Sequence, residues 1–360
     1  MSPIPREIVA LADYESAARA RMAAAAWESI AGGSADEHTL AANRTGFARL
    51  RLNGRVLAPM DGAHTRLDLL GLALDHPILV APTAWHRLVH PEGEAATALG
   101  AAALRATMVV SALASLPLEA IAAQAQAPLW FQLYVQPDRG FTHALVRRAE
   151  AAGYRAIVVT VDAPVTLRNR EQRIGFQLPP DVEPVNLRDG PPPPAGRAAA
   201  HESEVFAGLL DGTPQWADIA ALRRQTGLPI LLKGIMHPED ALRGIEAGAD
   251  ALIVSNHGGR VLDTMPASIE ALPRIAKVVA GRVPLLLDGG ISRGTDVLKA
   301  LALGAQAVLV GRPILHALAV AGATGVAHVL KLLRTELEIA MAQTGCRTLA
   351  DIGPQVIWRD

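Results

Sequence analysis

Residues 228–263 read LPILLKGIMHPEDALRGIEAGADALIVSNHGGRVLD. A short apolar run, Pro229–Leu232, leads into a polar, Gly-terminated segment, HPEDALRGIEAG, and then into a second run, Ala251–Val254. Both runs are too short for a helix. They are apolar throughout instead of alternating, as strands are when a parallel sheet is covered on both faces. The segment between them closes on glycine, where a helix hands the chain to the next strand. This is one βα unit followed by the start of another.

The same texture repeats outward from that unit. Upstream runs lie at Ile78–Ala81, Thr107–Val110, Leu129–Leu133 and Ala156–Val161, and downstream runs at Pro284–Leu287 and Ala307–Val310. Amphipathic segments such as HPEGEAATALGAAAL, GFTHALVRRAEAAG and RGTDVLKALALG separate them. Eight such units predict an α/β chain folded as a (β/α)8 TIM barrel over residues 75–345. The run starts are 29, 22, 27, 73, 22, 33 and 23 residues apart. The one long interval carries a Pro-rich insertion, residues 178–215, expected to be a mobile loop over the carboxyl end of the barrel. Residues 1–60 read as a helical extension: an Ala-rich stretch from Ile4 to Ile30 stopped by Gly32-Gly33, then a shorter helix in DEHTLAANRTGF. No linker divides the chain, so residues 1–360 are taken as one domain, with a two-domain doubly wound sheet as the alternative.

Composition narrows the function. Half of the 360 residues are hydrophobic and 19% are charged, which excludes a disordered chain. Lys+Arg 34 against Asp+Glu 35 leaves a net charge of −1, without the basic excess that nucleic-acid binding draws on. The single cysteine, Cys346, excludes an intrachain disulfide and a cysteine-cluster metal site, and no metal is expected. The amino terminus lacks a basic region followed by an apolar core, and no window holds about eighteen uninterrupted apolar residues. A cytoplasmic protein without a membrane partner is the expectation.

A barrel brings all its strand ends to one mouth, so the residues after each run are the candidates. They are Pro82-Thr83-Ala84, Ser111, Gln132 with Tyr134, Thr160 with Asp162, Lys233, Ser255 with His257, Asp288-Gly289-Gly290, and Gly311-Arg312. DGGISRG and GRP follow the seventh and eighth runs, where barrels commonly bind phosphate on backbone N–H groups. Arg293 or Arg312 would add charge there; ordinary tight turns are the plainer reading. Lys233 leaves a buried strand and needs an anionic partner. A Schiff base, stabilisation of a cofactor's negative charge and a structural ion pair are all open to it. His257 with Arg260 three residues on suits proton abstraction from a substrate whose anionic group the arginine holds, and Asp162 would orient the imidazole. A structural histidine is the alternative. Gln132 and Tyr134 alternate along FQLYV and share a face. Arg168 sits in the charged stretch TLRNREQR, which also reads as a solvated helix start.

These motifs resemble a known family, the FMN-dependent α-hydroxy acid oxidases and dehydrogenases, which includes glycolate, lactate and hydroxymandelate oxidases. The resemblance runs from AGGSADEHTLAANR to MAQTGCRTLADIG. It is carried by APTA and HPEGE (81–84, 90–94), WFQLYV (130–135), TVDAP (160–164), LLKGI (231–235), SNHGGRVLD (255–263), DGGISRGTDV (288–297) and GRP (311–313). It implies FMN across the barrel mouth, with the backbone of Pro82, Thr83 and Ala84, and Ser111, Gln132 and Thr160 about the ring. Lys233 would stand near the flavin N1, and Ser255 near the ribityl chain. Asp288, Gly290, Arg293, Gly311 and Arg312 would hold the ribityl and phosphate. His257 matches the family's base, Asp162 its partner, Arg260 and Arg168 the carboxylate clamp, and Tyr134 the phenol on the substrate oxygen.

The implied reaction takes an (S)-2-hydroxy acid to its 2-oxo acid, with electrons passing to O2 or to another acceptor such as a quinone. A homotetramer is implied as well. Four departures bear on this. Ser29 stands where the family carries a tyrosine, and Leu113 where short-chain glycolate oxidases carry a tryptophan; both point to a larger, mandelate-like substrate. TLRNREQR differs in spacing from the family's arginine motif, leaving Arg168 and Arg170 as alternatives. Ser292 replaces an arginine that usually meets the phosphate. A non-redox barrel lyase using Lys233, and a flavin-binding protein without turnover, are the competing functions.

Overall fold

The computed structural model describes residues 4–164, 171, 174–191, 201–203, 205–210 and 212–358. Three helices open the chain: α1 (Leu11–Arg19), α2 (Ala24–Ala31) and α3 (His38–Arg49). The single helix expected over 4–30 is therefore two. The chain turns at Ala20–Ala23, where the Arg21 guanidinium donates to the Val320 carbonyl, so a tertiary contact overrides the helix propensity of the alanines. Gly32 ends α2 where the Gly-Gly pair predicts a stop.

An antiparallel hairpin, β1 (Leu67–Leu69) and β2 (Leu72–Leu74), precedes the barrel. The sequence reading did not anticipate it. The barrel strands are β3 (Ile78–Val80), β4 (Met108–Ser111), β5 (Leu129–Leu133), β6 (Ile157–Thr160), β7 (Ile230–Ile235), β8 (Ala251–Val254), β9 (Leu285–Asp288) and β10 (Ala307–Val310). All are parallel, each pairs with the next, and β10 closes on β3. Every one lies on a run predicted from sequence, with ends shifted by no more than a few residues.

Outside the barrel lie α4 (Gly93–Ala103), α5 (Leu118–Gln124), α6 (Arg139–Ala151), α7 (Trp216–Arg223), α8 (Pro238–Glu246), α9 (Ser268–Val279), α10 (Gly294–Ala302) and α11 (Arg312–Thr344). Two cores result from strand alternation. Leu79, Val109, Trp130, Val158, Leu231, Ile253, Leu286 and Leu309 form one apolar cluster, to which Leu69 and Leu74 of the hairpin belong. Ile78, Val80, Met108, Phe131 and Ile157 belong to the other, with the helices. The hairpin thus covers one end of the barrel interior and leaves the carboxyl ends for chemistry.

By length and composition α11 is apolar enough to cross a bilayer, yet 67% of its most apolar window is buried within the protein. It breaks at Ala321 and Gly322, and packs on α1, α4 and α10. Of the Pro-rich insertion, residues 192–200, 204 and 211 lie outside the described residues, and so does the expected mobility of that stretch. Its proximal part is packed: Val182 and Asn186 are buried, and Asn186 accepts from the Leu118 N–H at 2.9 Å and donates to the Leu116 carbonyl at 3.1 Å.

Candidate active site

The strand register sets polar groups side by side on the barrel floor. Ser111 pairs with Gln132 across β4–β5, and Thr160 with Lys233 across β6–β7. Ser111 Oγ donates to Gln132 Oε1 at 3.0 Å, and Gln132 Nε2 donates to Thr160 Oγ1 at 3.0 Å. All three side chains are buried. One hydrogen-bonded chain therefore crosses three strands at their carboxyl ends.

Lys233 lies beside it, with Nζ 3.1 Å from Ser255 Oγ and 3.3 Å from Asp288 Oδ2. Burial works against its charge, but the Asp288 and Asp162 carboxylates outweigh that and hold its pKa above the ordinary lysine value. A nucleophilic Schiff-base lysine has to be neutral. Both carboxylates favour the charged form of this one, which speaks against the lyase reading.

His257 stands at the end of β8 in a left-handed backbone conformation (φ 56°), a strained state for a residue with a Cβ. Its N–H donates to Ser255 Oγ at 3.0 Å, and its Nδ1 lies 2.9 Å from Asp162 Oδ1. Burial raises the Asp162 pKa, but the Lys233 charge and the His257 hydrogen bond prevail and lower it below the usual carboxylate value. The aspartate fits there only because residue 234 is glycine. A Cβ on Gly234, itself at φ 111°, would lie 2.4 Å from Asp162 Cβ.

A cavity of about 540 Å³ opens over this floor. Pro82, Thr83, Ala84, Ser111, Gln132, Tyr134, Thr160, Lys233, His257, Arg260, Asp288, Gly290, Gly311 and Arg312 all line it, together with Ser29 and Leu113. Ser255 and Asp162 act from behind, on Lys233 and His257. Arg168 and Arg170 lie outside the described residues. Arg293 departs from its expected place at the phosphate: its side chain turns outward to Glu336 (Nη1–Oε1 2.7 Å), because its backbone starts α10 and its N–H is taken by Asp296. Ser292 Oγ is likewise bonded to Asp296, at 3.1 Å.

A family model described as FMN-dependent dehydrogenase matches residues 18–359. The chain belongs to the FMN-dependent dehydrogenase family. An L-lactate oxidase from Roseobacter sp. (strain GAI101) is 49% identical over 350 residues, covering 97% of this chain and 94% of that protein. A glycolate oxidase from Spinacia oleracea is 42% identical over 359 residues, covering 98% and 96%. The solved structure of mandelate oxidase with benzoyl-formic acid is 41% identical, has a TM-score of 0.87, and covers 97% of this chain and 98% of its own. The chain is an FMN-dependent oxidoreductase of the 2-hydroxy acid oxidase class.

The cavity's donor set fits that cofactor. Amide, hydroxyl and ammonium groups at the strand ends suit a ring bearing carbonyl oxygens and nitrogens. Asp288 Oδ1 is buried without a hydrogen-bond partner, an acceptor positioned for a polyol hydroxyl. Gly289, Gly290 and Gly311 line the same cavity, and glycine-rich turns of this kind can offer backbone N–H groups to a phosphate.

The sequence reading gave no role to several residues that build this family site. Glu94, in the HPEGE marker, is fully buried and accepts from His86 N–H (3.0 Å), Ser115 N–H (2.9 Å) and Ser115 Oγ (2.7 Å). It ties the loops after β3 and β4 into one wall. Asp263, in the SNHGGRVLD marker, accepts from Thr39 N–H (2.8 Å) and Asp36 N–H (3.1 Å), docking α3 on the His257 loop. Asn43 and Asn256 bond reciprocally at 2.9 and 2.8 Å. Trp85 and Leu88 join Leu113 on the cavity wall. An acid or amide inside a motif was the available signal; its partners lie too far along the chain to be read locally.

Proposed function

We propose that this enzyme oxidises (S)-2-hydroxy acids with an aromatic or long aliphatic side chain, R–CH(OH)–COO⁻ + O2 → R–CO–COO⁻ + H2O2. The observation that carries the reading is the His257–Asp162 pair set beside Arg260 in a cavity walled by Leu113, Trp85 and Leu88. FMN, when bound, takes up the two electrons removed from the substrate carbon and passes them on. Arg260 holds the substrate carboxylate, and Tyr134 donates to the substrate oxygen. His257 accepts a proton, from the α-carbon or from the hydroxyl, on Nε2, while Asp162 holds the opposite nitrogen and balances the imidazolium. Ser111, Gln132, Thr160 and Lys233 would hold the ring, and the Lys233 ammonium would offset negative charge there.

Ser29 and Leu113 leave room beyond the α-carbon, and the structural likeness to mandelate oxidase supports a bulky side chain. A lactate-sized substrate is the second reading, favoured by the 49% identity to L-lactate oxidase. Anaerobic mixing with (S)-mandelate, (S)-3-phenyllactate, (S)-lactate and glycolate, read as bleaching of the flavin band, decides between them. Faster bleaching by lactate than by either aromatic acid overturns the size assignment. Readmitted air that restores the band and yields peroxide supports O2 as acceptor; a band that stays bleached overturns it. His257→Ala should keep its FMN and lose bleaching, and an unchanged rate removes His257 as the base.

A further inference from the structure

The loop after β3 carries a buried histidine that this chemistry does not use. Trp85 adopts a left-handed backbone conformation (φ 52°), and the chain then opens a short 3-10 turn, His86–Leu88. The reversal carries the His86 ring back to the residue three places earlier: Nε2 lies 2.6 Å from Thr83 Oγ1. On its other side Nδ1 lies 2.9 Å from Thr97 Oγ1 of α4. His86 and Thr97 are both buried, whereas Thr83 lines the cavity, where a Cβ on Gly311 would lie 3.7 Å from its methyl group.

The proton order along this chain of three side chains follows from the acceptors within reach. Among the described residues Thr97 Oγ1 has no hydrogen-bond partner except His86, and a hydroxyl shut away from water places its proton on the acceptor it has. Nδ1 is therefore that acceptor. Burial outweighs the attraction of the Glu94 carboxylate and holds the His86 pKa below the ordinary histidine value, so the ring is neutral and carries its single N–H on Nε2. Nε2 donates to Thr83 Oγ1, which has no other partner among the described residues. The Thr83 hydroxyl proton is left for an acceptor in the cavity.

We propose that His86 is a positioning residue for the cofactor: with Thr97 it turns the Thr83 hydroxyl into a hydrogen-bond donor to a carbonyl oxygen of the flavin ring. This role depends on the family's cofactor and on no choice of substrate. The ring oxygens carry more negative charge in reduced flavin, so a donor there favours the reduced form and raises the reduction potential. A plain fastening of the loop to α4 has no such consequence. Losing it would loosen the loop and leave the potential where it was.

The midpoint potential of FMN in the holoenzyme, titrated spectroscopically against a reference dye, tests this. Thr83→Val should lower the equilibrium constant for flavin reduction about tenfold, which is about 30 mV for a two-electron couple. Thr83→Ser should restore it. Thr97→Val, at a position outside the cavity lining, should lower it about threefold, because His86 then has nothing to keep its proton on Nε2. An unchanged potential in either valine variant overturns the proposal, and so does a loss that serine at position 83 fails to restore. Nitrogen-15 labelling of the histidines reads the tautomer, with His86→Gln assigning the signal: Nε2–H is expected, and Nδ1–H overturns the proposal. Should Thr83→Val lose its FMN, the tautomer and Thr97→Val decide. A wild-type protein that shows no flavin band to titrate fails the cofactor reading instead, before any variant is made.

Discussion

At the scale of single residues, this site is a set of charges arranged so that each fixes the next. Lys233 sits between Asp288 and Asp162, and Asp162 in turn holds His257. Asp162→Asn keeps the shape and removes the charge opposite the imidazole. We expect it to slow anaerobic flavin bleaching by about 100-fold, with FMN retained, as loss of support for a general base does. The cofactor band at equal protein concentration is the control, and a variant that bleaches at the wild-type rate refutes the dyad. Gly234→Ala should imitate it with both partners unsubstituted, because its Cβ overlaps Asp162 and displaces it. Lys233, Asp162 and Asp288 were legible in sequence because each follows an apolar run directly, and His257 because it lies three residues past one. Arg293 was misplaced for the converse reason: it is three residues beyond the Gly289-Gly290 turn, and the start of α10 aims its side chain at Glu336.

Among the elements, the loops and α11 carry constraints that strand patterns do not express. The Glu94 carboxylate satisfies two backbone N–H groups and a hydroxyl in the wall beside Trp85. Glu94→Ala strands those donors, and we expect a loss of about 3 kcal/mol in urea unfolding, together with faster FMN release. Stability within 0.5 kcal/mol of wild type would show that water replaces the carboxylate without cost. The break in α11 rests on Gly322, at φ 57°, where an added Cβ would lie 2.9 Å from His90 Nε2. Gly322→Ala should cost about 1–3 kcal/mol by the same measurement. A 33-residue apolar helix suggests no break from its composition. The break follows from the surfaces it packs against.

On the scale of the whole molecule, the amino-terminal helices complete the barrel's open end, and His316 reports on their docking. It stacks on Trp27 of α2 at 5.2 Å between ring centroids, and burial pushes its pKa down to about 4. The unfolded chain binds a proton on this histidine near pH 6.5, while the folded chain stays neutral to about pH 4. Folding therefore loses stability as pH falls through that window. The loss attributable to His316 between pH 7 and pH 5 is about 2 kcal/mol. His316→Phe should flatten the pH dependence by that amount, and an unchanged slope would place the effect elsewhere. The homotetramer implied by the family resemblance is a further expectation, checked by sedimentation velocity against four times the chain mass.

What the amino-acid sequence determined by itself was the barrel and the chemistry at its mouth. Short runs apolar on both faces, alternating with amphipathic segments, point to parallel strands inside a shell of helices, and closing eight of them brings the polar residue after each to one place. What the tertiary structure decided was direction and company. Thr39 meets Asp263 and Asn43 meets Asn256 across more than two hundred residues, and those contacts lay α3 against the Gly289-Gly290 turn. The sequence names the arginines near the cofactor. Where they point, Arg312 to a carbonyl and Arg293 to an outer glutamate, depends on neighbours that only the folded chain brings within hydrogen-bonding distance.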